Sequence, residues 1–306
     1  MKIGLKMKIA KVLSICLLGF CSAVFAAPKE INVMVTVDWE GSSLDAENLE
    51  AIIEFRQKYP FIPMLQFLNP VYPLKFNDAL SKINSTFLAE DRFGLHVHAW
   101  KTLTDKCQVA FKHAPAFDPT IEHCEIGDCG YSVSLEYAYD EPALTKLIAC
   151  SSDMLVSQGY PKPSAFRAGG WQMGPKLISA LQKNGINFDS SVTPAKLLSE
   201  RWGAESEMVK LVGQLHPNAS VLDAPYSLAT GLMEYPNNAS LADYTRSEQI
   251  VELFNALILN NKTVMVLGFH QETAVDYLHR LDEAIPEMEK IAKENKVKLN
   301  WVAGSN

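Results

Sequence analysis

The 306-residue chain has no Gly/Ser-rich or Pro-rich linker, no internal repeat and no low-complexity segment, so nothing in it marks a boundary between domains. It has no apolar run of the ~20 residues that a membrane-spanning helix requires. Basic residues are in the minority, 28 Lys and Arg against 35 Asp and Glu, for a formal charge of −7. A surface of that sign repels nucleic-acid phosphates and anionic membranes, and a neutral or cationic partner suits it better. Cysteine is scarce, at six in the whole chain.

The first 26 residues stand apart. Lys2, Lys6, Lys8 and Lys11 precede the short apolar run 12–20, and Val24 and Ala26 suit cleavage before Ala27. That order is expected of a secretory signal peptide, and the protein is expected to be exported, periplasmic or secreted, without a stable membrane anchor. A lipid anchor at Cys21 is disfavoured by the bulky Phe20 before it. Loss of the four lysines takes the formal charge from −7 to −11. The remaining residues, 27–306, suffice for one large catalytic domain. Oligomeric state is not legible at this level.

Cys107, Cys124, Cys129 and Cys150 survive that cleavage, and an even number in an exported chain predicts two disulfides. Three pairings are open. A Cys/His zinc site using His113 and His123 is the rival, but the spacings 17, 5 and 21 between successive cysteines match no compact zinc pattern.

Short runs rich in β-branched residues alternate with longer amphipathic segments, the pattern of an α/β protein with parallel strands. Strands are expected over 31–38, 62–68, 93–98, 164–168, 186–190, 263–269 and 297–302. Helices are expected over 44–58, 76–89, 141–158, 173–184, 245–260 and 272–294, with Asp140 and Pro142 starting the third. The stretch 199–236 breaks the rhythm, and "SVLDAPYSL" and "GLMEYPN" within it suggest a hairpin or extended excursion. About seven such units close into a distorted (β/α)7-type barrel, whose chemistry belongs at the C-terminal ends of the strands.

Polar residues collect at those ends: Asp38 and Glu40, His96 and His98, Arg167, Asp189 and His270. Side chains alternate faces along a strand, so Asp38 and Glu40 in "VTVDWEG" point the same way and Trp39 points away. The same holds for His96 and His98 in "GLHVHAW". Carboxylate oxygen with imidazole nitrogen suits a divalent cation, above all Zn²⁺. Without a cation, two crowded carboxylates repel and one tends to keep its proton. Arg167, ahead of two glycines, is placed to hold Asp38 ionised. His270 titrates near neutral pH and is the natural proton donor opposite a metal.

"TVDWEG", "HVHAW", "FRAGGW" and "GFHQE", in that order across most of the chain, resemble the motifs of the polysaccharide deacetylases of carbohydrate esterase family 4. The likeness is strongest to the branch with a His-x-His-x-Trp motif. It implies a distorted barrel and metal-dependent removal of N-acetyl groups from a sugar polymer or oligosaccharide. It implies Asp38 as base, Glu40 and His96 as metal ligands, Arg167 as the residue that orients the base, and His270 as acid. Two features depart from the common pattern. Trp39 separates acids that are usually adjacent, and Trp100 stands four residues after His96 where a second histidine is usual. Either His98 supplies the missing ligand or the site is weak.

A polymer substrate implies an open cleft with aromatic residues for sugar faces. Trp100, Trp171 and Tyr226 are the candidates, with Trp202 and Tyr235 behind them. Other readings are an amidohydrolase acting on a non-sugar amide, a glycoside hydrolase using Asp38 and Glu40, and an inactive carbohydrate-binding relative. The glycoside hydrolase fits poorly, because two acids on one strand face do not flank a glycosidic bond.

Overall fold

The computed structural model describes residues 30–118, 124 and 127–304. The expected leader, residues 1–26, and His123 lie outside them. Nine strands form one curled sheet: β1 Glu30–Asp38, β2 Met64–Leu68, β3 Arg92–Val97, β4 Ala165–Ala168, β5 Phe188–Asp189, β6 Tyr226–Ala229, β7 Leu232–Glu234, β8 Val264–His270 and β9 Lys298–Val302. Their order is β6-β7-β5-β4-β3-β2-β1-β8, with β9 added to β1. All seven expected strands are present, and the excursion contributes the hairpin β6–β7.

The sheet is mixed rather than wholly parallel, because β6 runs antiparallel to β7. Strand pairing does not close the ring. Irregular chain fills the gap beside β8, where the Ala239 N–H donates to the Val266 carbonyl at 3.0 Å and the Ala242 N–H to the Gly268 carbonyl at 2.7 Å. The lower half of one edge of β1 pairs with β9, from Glu30 to Met34, and its upper half with β2, from Val35 to Asp38. The result is an α/β half-barrel in one domain.

Alternation along β1 explains the two layers of packing. Val33, Val35 and Val37 face outward into the main core against the helices, while Met34 joins Leu65, Phe67, Ala165, Phe188 and Val266 inside the barrel. Burial of one valine contributes about 1.5–3 kcal/mol. Seating an ion in the interior costs several kcal/mol. The outward valines thus help to hold in place a strand whose inner face becomes polar toward its end.

The expected helix starting at Asp140 forms over Glu141–Ser157, and Asp140 accepts the Ala143 N–H at 2.9 Å. The expected helix 76–89 is shorter, Ala79–Asn84; a separate turn, Tyr72–Lys75, precedes it, and Asp78 between them is left-handed, at φ 57°. The 272–294 segment breaks into short turns and the helix His279–Glu294. Two helices in the excursion escape periodicity: Ala195–Trp202 and Glu207–Leu215, the second capped by the Ser206 hydroxyl. At eight and nine residues they are too short for a strong pattern. Cys107 pairs with Cys150, and Cys124 with Cys129, so the zinc alternative for these cysteines falls. The first bridge closes a loop of 43 residues, which restricts the unfolded chain by ~3–4 kcal/mol.

Candidate functional site

Pairing register places the polar residues side by side. Asp38 on β1 is level with His270 on β8, and His96 on β3 is level with Arg167 on β4. Glycine permits the strands to come this close. A Cβ on Gly268 would lie 2.1 Å from the Thr36 carbonyl oxygen, and one on Gly169 would lie 2.8 Å from the His98 ring.

Glu40, His96 and His98 converge as the alternation argument expects. The Nε2 atoms of the two histidines are 3.2 Å apart, and Glu40 lies 3.2 Å from His96 Nε2 and 2.6 Å from His98 Nε2. Each Nδ1 meets a backbone carbonyl, that of Arg167 at 2.9 Å and that of Tyr131 at 2.7 Å. A carbonyl only accepts, so both Nδ1 atoms carry hydrogen and, in the neutral rings, both Nε2 lone pairs face inward. Tetrahedral coordination at 2.0–2.2 Å separates donor atoms by roughly 3.3–3.6 Å. Two of the three separations, at 3.2 Å, come near this, while the 2.6 Å between Glu40 and His98 is a hydrogen-bond distance that a cation would widen. The three residues could hold a divalent cation; Asp38, Glu40 and His270 form a second, overlapping group of the same kind.

Arg167 is fully buried beneath this group. It donates from Nη1 to Asp38 Oδ1 and to the Thr36 hydroxyl, both at 2.7 Å, and from Nε and Nη2 to the Ser190 carbonyl and hydroxyl, both at 2.8 Å. The pair is an interior one, not a loose surface bridge. His270 Nε2 lies 3.2 Å from Glu40, and its Nδ1 lies 3.1 Å from Asp243. Burial opposes charge on His270, but Asp243 and Glu40 outweigh it and raise its pKa to about 9. It is therefore protonated at neutral pH. Burial likewise opposes charge on Glu40, yet His98, His270 and His96 hold it well below the usual carboxylate range.

Asp243 was not predicted. It lies in irregular chain 27 residues before His270, with no periodicity to mark it. Tyr131 was also missed: its ring stacks on His98, with centroids 4.5 Å apart at 13°. Glu272 accepts the backbone N–H groups of Glu40 and Ser42 at 3.2 and 3.3 Å. Burial and the nearby Glu40 raise its pKa to about 7. Trp39 points away, as expected, and donates to Gln66 at 2.9 Å.

The aromatic candidates separate. Trp100 has no exposed surface; its Nε1 donates to the Glu40 carbonyl at 2.8 Å and Lys75 covers its ring at 3.3 Å, so no face remains for a sugar. Trp171 lines the pocket above the acids. Tyr226 is exposed on the edge strand β6, outside the residues lining that pocket. Asp189 faces Glu234, not the metal group; burial first, then Asp189, raises Glu234 well above the usual range.

The cleft is narrow. Asp38, Glu40, His96 and His270 line a pocket of about 10 Å³, room for about one water molecule. Phe117, Tyr131, Trp171 and Tyr244 line it too, as do Trp202 and Met208 from the helices Ala195–Trp202 and Glu207–Leu215. A larger cavity of about 670 Å³, lined by Phe93, Phe188 and Trp301 among others, opens at the opposite end of the barrel, away from these groups.

No family model matches the chain, and no curated protein matches it. Solved structures do. A protein from Mycobacterium smegmatis, provisionally assigned as a polysaccharide deacetylase, is 15% identical over 92% of this chain and 89% of its own, with a TM-score of 0.53. The barrel is the same fold. A family 4 carbohydrate esterase from Streptomyces lividans, solved with acetate, is 11% identical over 92% and 94% at a TM-score of 0.39. A family 4 pseudoenzyme from Bacillus anthracis is 10% identical over 90% and 64% at 0.42.

Proposed function

We propose that the protein is a metal-dependent hydrolase that removes N-acetyl groups from an extracytoplasmic polysaccharide or oligosaccharide, in the His-x-His-x-Trp branch of the deacetylase family. The observation that carries this reading is the convergence of the two Nε2 atoms on Glu40, flanked by Asp38 with Arg167 and by His270 with Asp243. Glu40, His96 and His98 would hold the ion, zinc being the best match to this ligand set. When bound, the cation supplies polarisation of the acyl carbonyl and of water.

The chain's own groups do the rest. Asp38, aimed by Arg167 through Oδ1, takes a proton from the attacking water. The new C–O bond forms as the amide C–N bond breaks, and His270 gives its proton to the departing nitrogen. Asp243 holds His270 in the orientation and charge state for that step. Trp171 is proposed to contact the substrate next to the reacting group, and Tyr226 to touch a more distant part of it. Export through the N-terminal leader, residues 1–26, is proposed with it. The two disulfides support that reading, and no helix among the described residues is long and apolar enough to cross a membrane.

The test is acetate release from N-acetylated oligosaccharides by protein reconstituted with zinc, beside Asp38→Asn. Turnover by the parent and none by the variant, with metal retained in both, supports the assignment. Equal turnover in both rejects Asp38 as base, and no turnover in either rejects the hydrolase.

A further inference from the structure

Strand pairing fixes Asp38 but stops short of Glu40. β1 ends at Asp38, and the Trp39 N–H makes one further backbone bond, to the Phe67 carbonyl at 3.1 Å. From Glu40 to Ser42 side chains take over. The Glu40 carbonyl accepts from Trp100 Nε1 at 2.8 Å and from Asn69 Nδ2 at 3.1 Å. Lys75, itself paired with Asp128 at 3.0 Å, donates to the Gly41 carbonyl at 2.9 Å. The N–H groups of Glu40 and Ser42 go to the two oxygens of one carboxylate, Glu272 Oε2 and Oε1, at 3.2 and 3.3 Å. The Gly41 N–H between them goes to the Tyr72 hydroxyl at 2.9 Å, and that hydroxyl donates in turn to Glu272 Oε1. Gly41 has a φ of +83°, and a Cβ there would lie 2.5 Å from Val71, so the turn admits no side chain.

We propose that Glu272 and Tyr72 are positioning residues for Glu40, holding it where its carboxylate reaches the Nε2 atoms of His96 and His98. This rests on the reading of Glu40, His96 and His98 as the residues that hold the ion. A carboxylate puts two acceptor oxygens on one side chain, whereas an amide has one and would set its NH2 against an N–H. Glutamine therefore cannot replace Glu272 here. Tyr72 is fully buried, and its hydroxyl accepts from Gly41 while donating to Glu272, which joins the two residues into one clamp. Without the clamp the Glu40–Ser42 N–H groups lose their acceptors, and the segment relaxes toward other partners and carries the Glu40 carboxylate away from the histidines.

The test is zinc affinity, measured by competition with a chromophoric chelator, for the parent, Glu272→Gln, Tyr72→Phe and the double variant. Each single variant should bind zinc about tenfold or more weakly than the parent, the usual effect of losing a partner that orients a ligand. The double variant should be less than about threefold weaker than the worse single one, because the two residues act as a unit. Asp282→Asn serves as control: it alters a carboxylate that accepts the Tyr59 hydroxyl at 2.7 Å on the helix His279–Glu294. It should lower Tm and leave zinc affinity within about twofold of the parent. Tyr72→Phe keeps the ring and removes one hydroxyl, so it decides the matter if Glu272→Gln does not fold. Folded variants that bind zinc within about twofold of the parent would overturn the inference and leave the ion site intact. An equal loss in Asp282→Asn would also overturn it, by assigning the effect to general loosening. No zinc bound by the parent would overturn both the inference and the ion site.

Discussion

His96 and His98 turn their Nε2 atoms toward one another across 3.2 Å, each ring fixed from behind by a backbone carbonyl. Glu40 lies 3.2 Å from one Nε2 and 2.6 Å from the other; burial opposes charge on His96, but Glu40 raises its pKa above the ordinary value. Protons therefore compete with a cation for this space, and cation binding should release them.

Calorimetric titration with zinc should give about one ion per chain, with a rise in Tm set by mass action. Glu40→Ala or His98→Ala should weaken binding by about a hundredfold or more, since each removes one of three donors. Undiminished binding by His98→Ala would exclude it as a ligand. It would also return the site to the pattern in which Trp100 marks a missing donor.

Arg167→Met should destabilise the fold by ~3–5 kcal/mol, because it leaves Asp38 charged and buried without its partner. Asp38→Asn/Arg167→Met should recover part of that loss. Urea unfolding reads both. A single-variant cost below about 1 kcal/mol would mean that Asp38 had become neutral or gained water.

Asp189 and Glu234 are both fully buried, and their carboxyl groups share a side-chain hydrogen bond. Because Glu234 stays protonated in the fold well above its ordinary pKa, the folded state binds more protons than the unfolded chain as pH rises past about 4.3. Its contribution is present below that pH and is lost as pH rises toward the folded pKa, by up to about 1.4 kcal/mol per unit. Glu234→Gln should flatten the alkaline side of the stability profile. An unchanged profile would mean that the pair does not hold a proton.

His216 shows the opposite sign. Burial lowers its pKa to about 4, so the unfolded chain takes up a proton first as pH falls below about 6.5. Its contribution is complete above that value and is lost as pH falls to about 4, by at most ~1.4 kcal/mol per pH unit. His216→Gln should remove that slope in thermal unfolding between pH 6.5 and 4, and retention of the slope would assign it to other groups.

The strands were legible because β-branched runs buried on both faces leave a strong local signal. The convergence of Asp38, Glu40, His96 and His98 was legible too, since a period of two fixes which residues share a face. Asp243, Tyr131 and the helices Ala195–Trp202 and Glu207–Leu215 were not. They lie in irregular chain or in helices of two turns, and only the tertiary fold brings Asp243 to His270. Burial of a single aromatic residue is equally invisible, and for that reason Trp100 read as a contact surface and proved to be a prop for the Glu40 backbone.

Arg167 serves both halves of the site at once: its side chain fixes Asp38 and its carbonyl fixes the His96 ring. The residue proposed as proton acceptor and one of those proposed to hold the ion are thus positioned from a single residue on β4. A displacement of that strand would carry both with it. The gap between the proposed base and the proposed ion site would in this way depend less on movement of a barrel whose strand pairing does not close the ring.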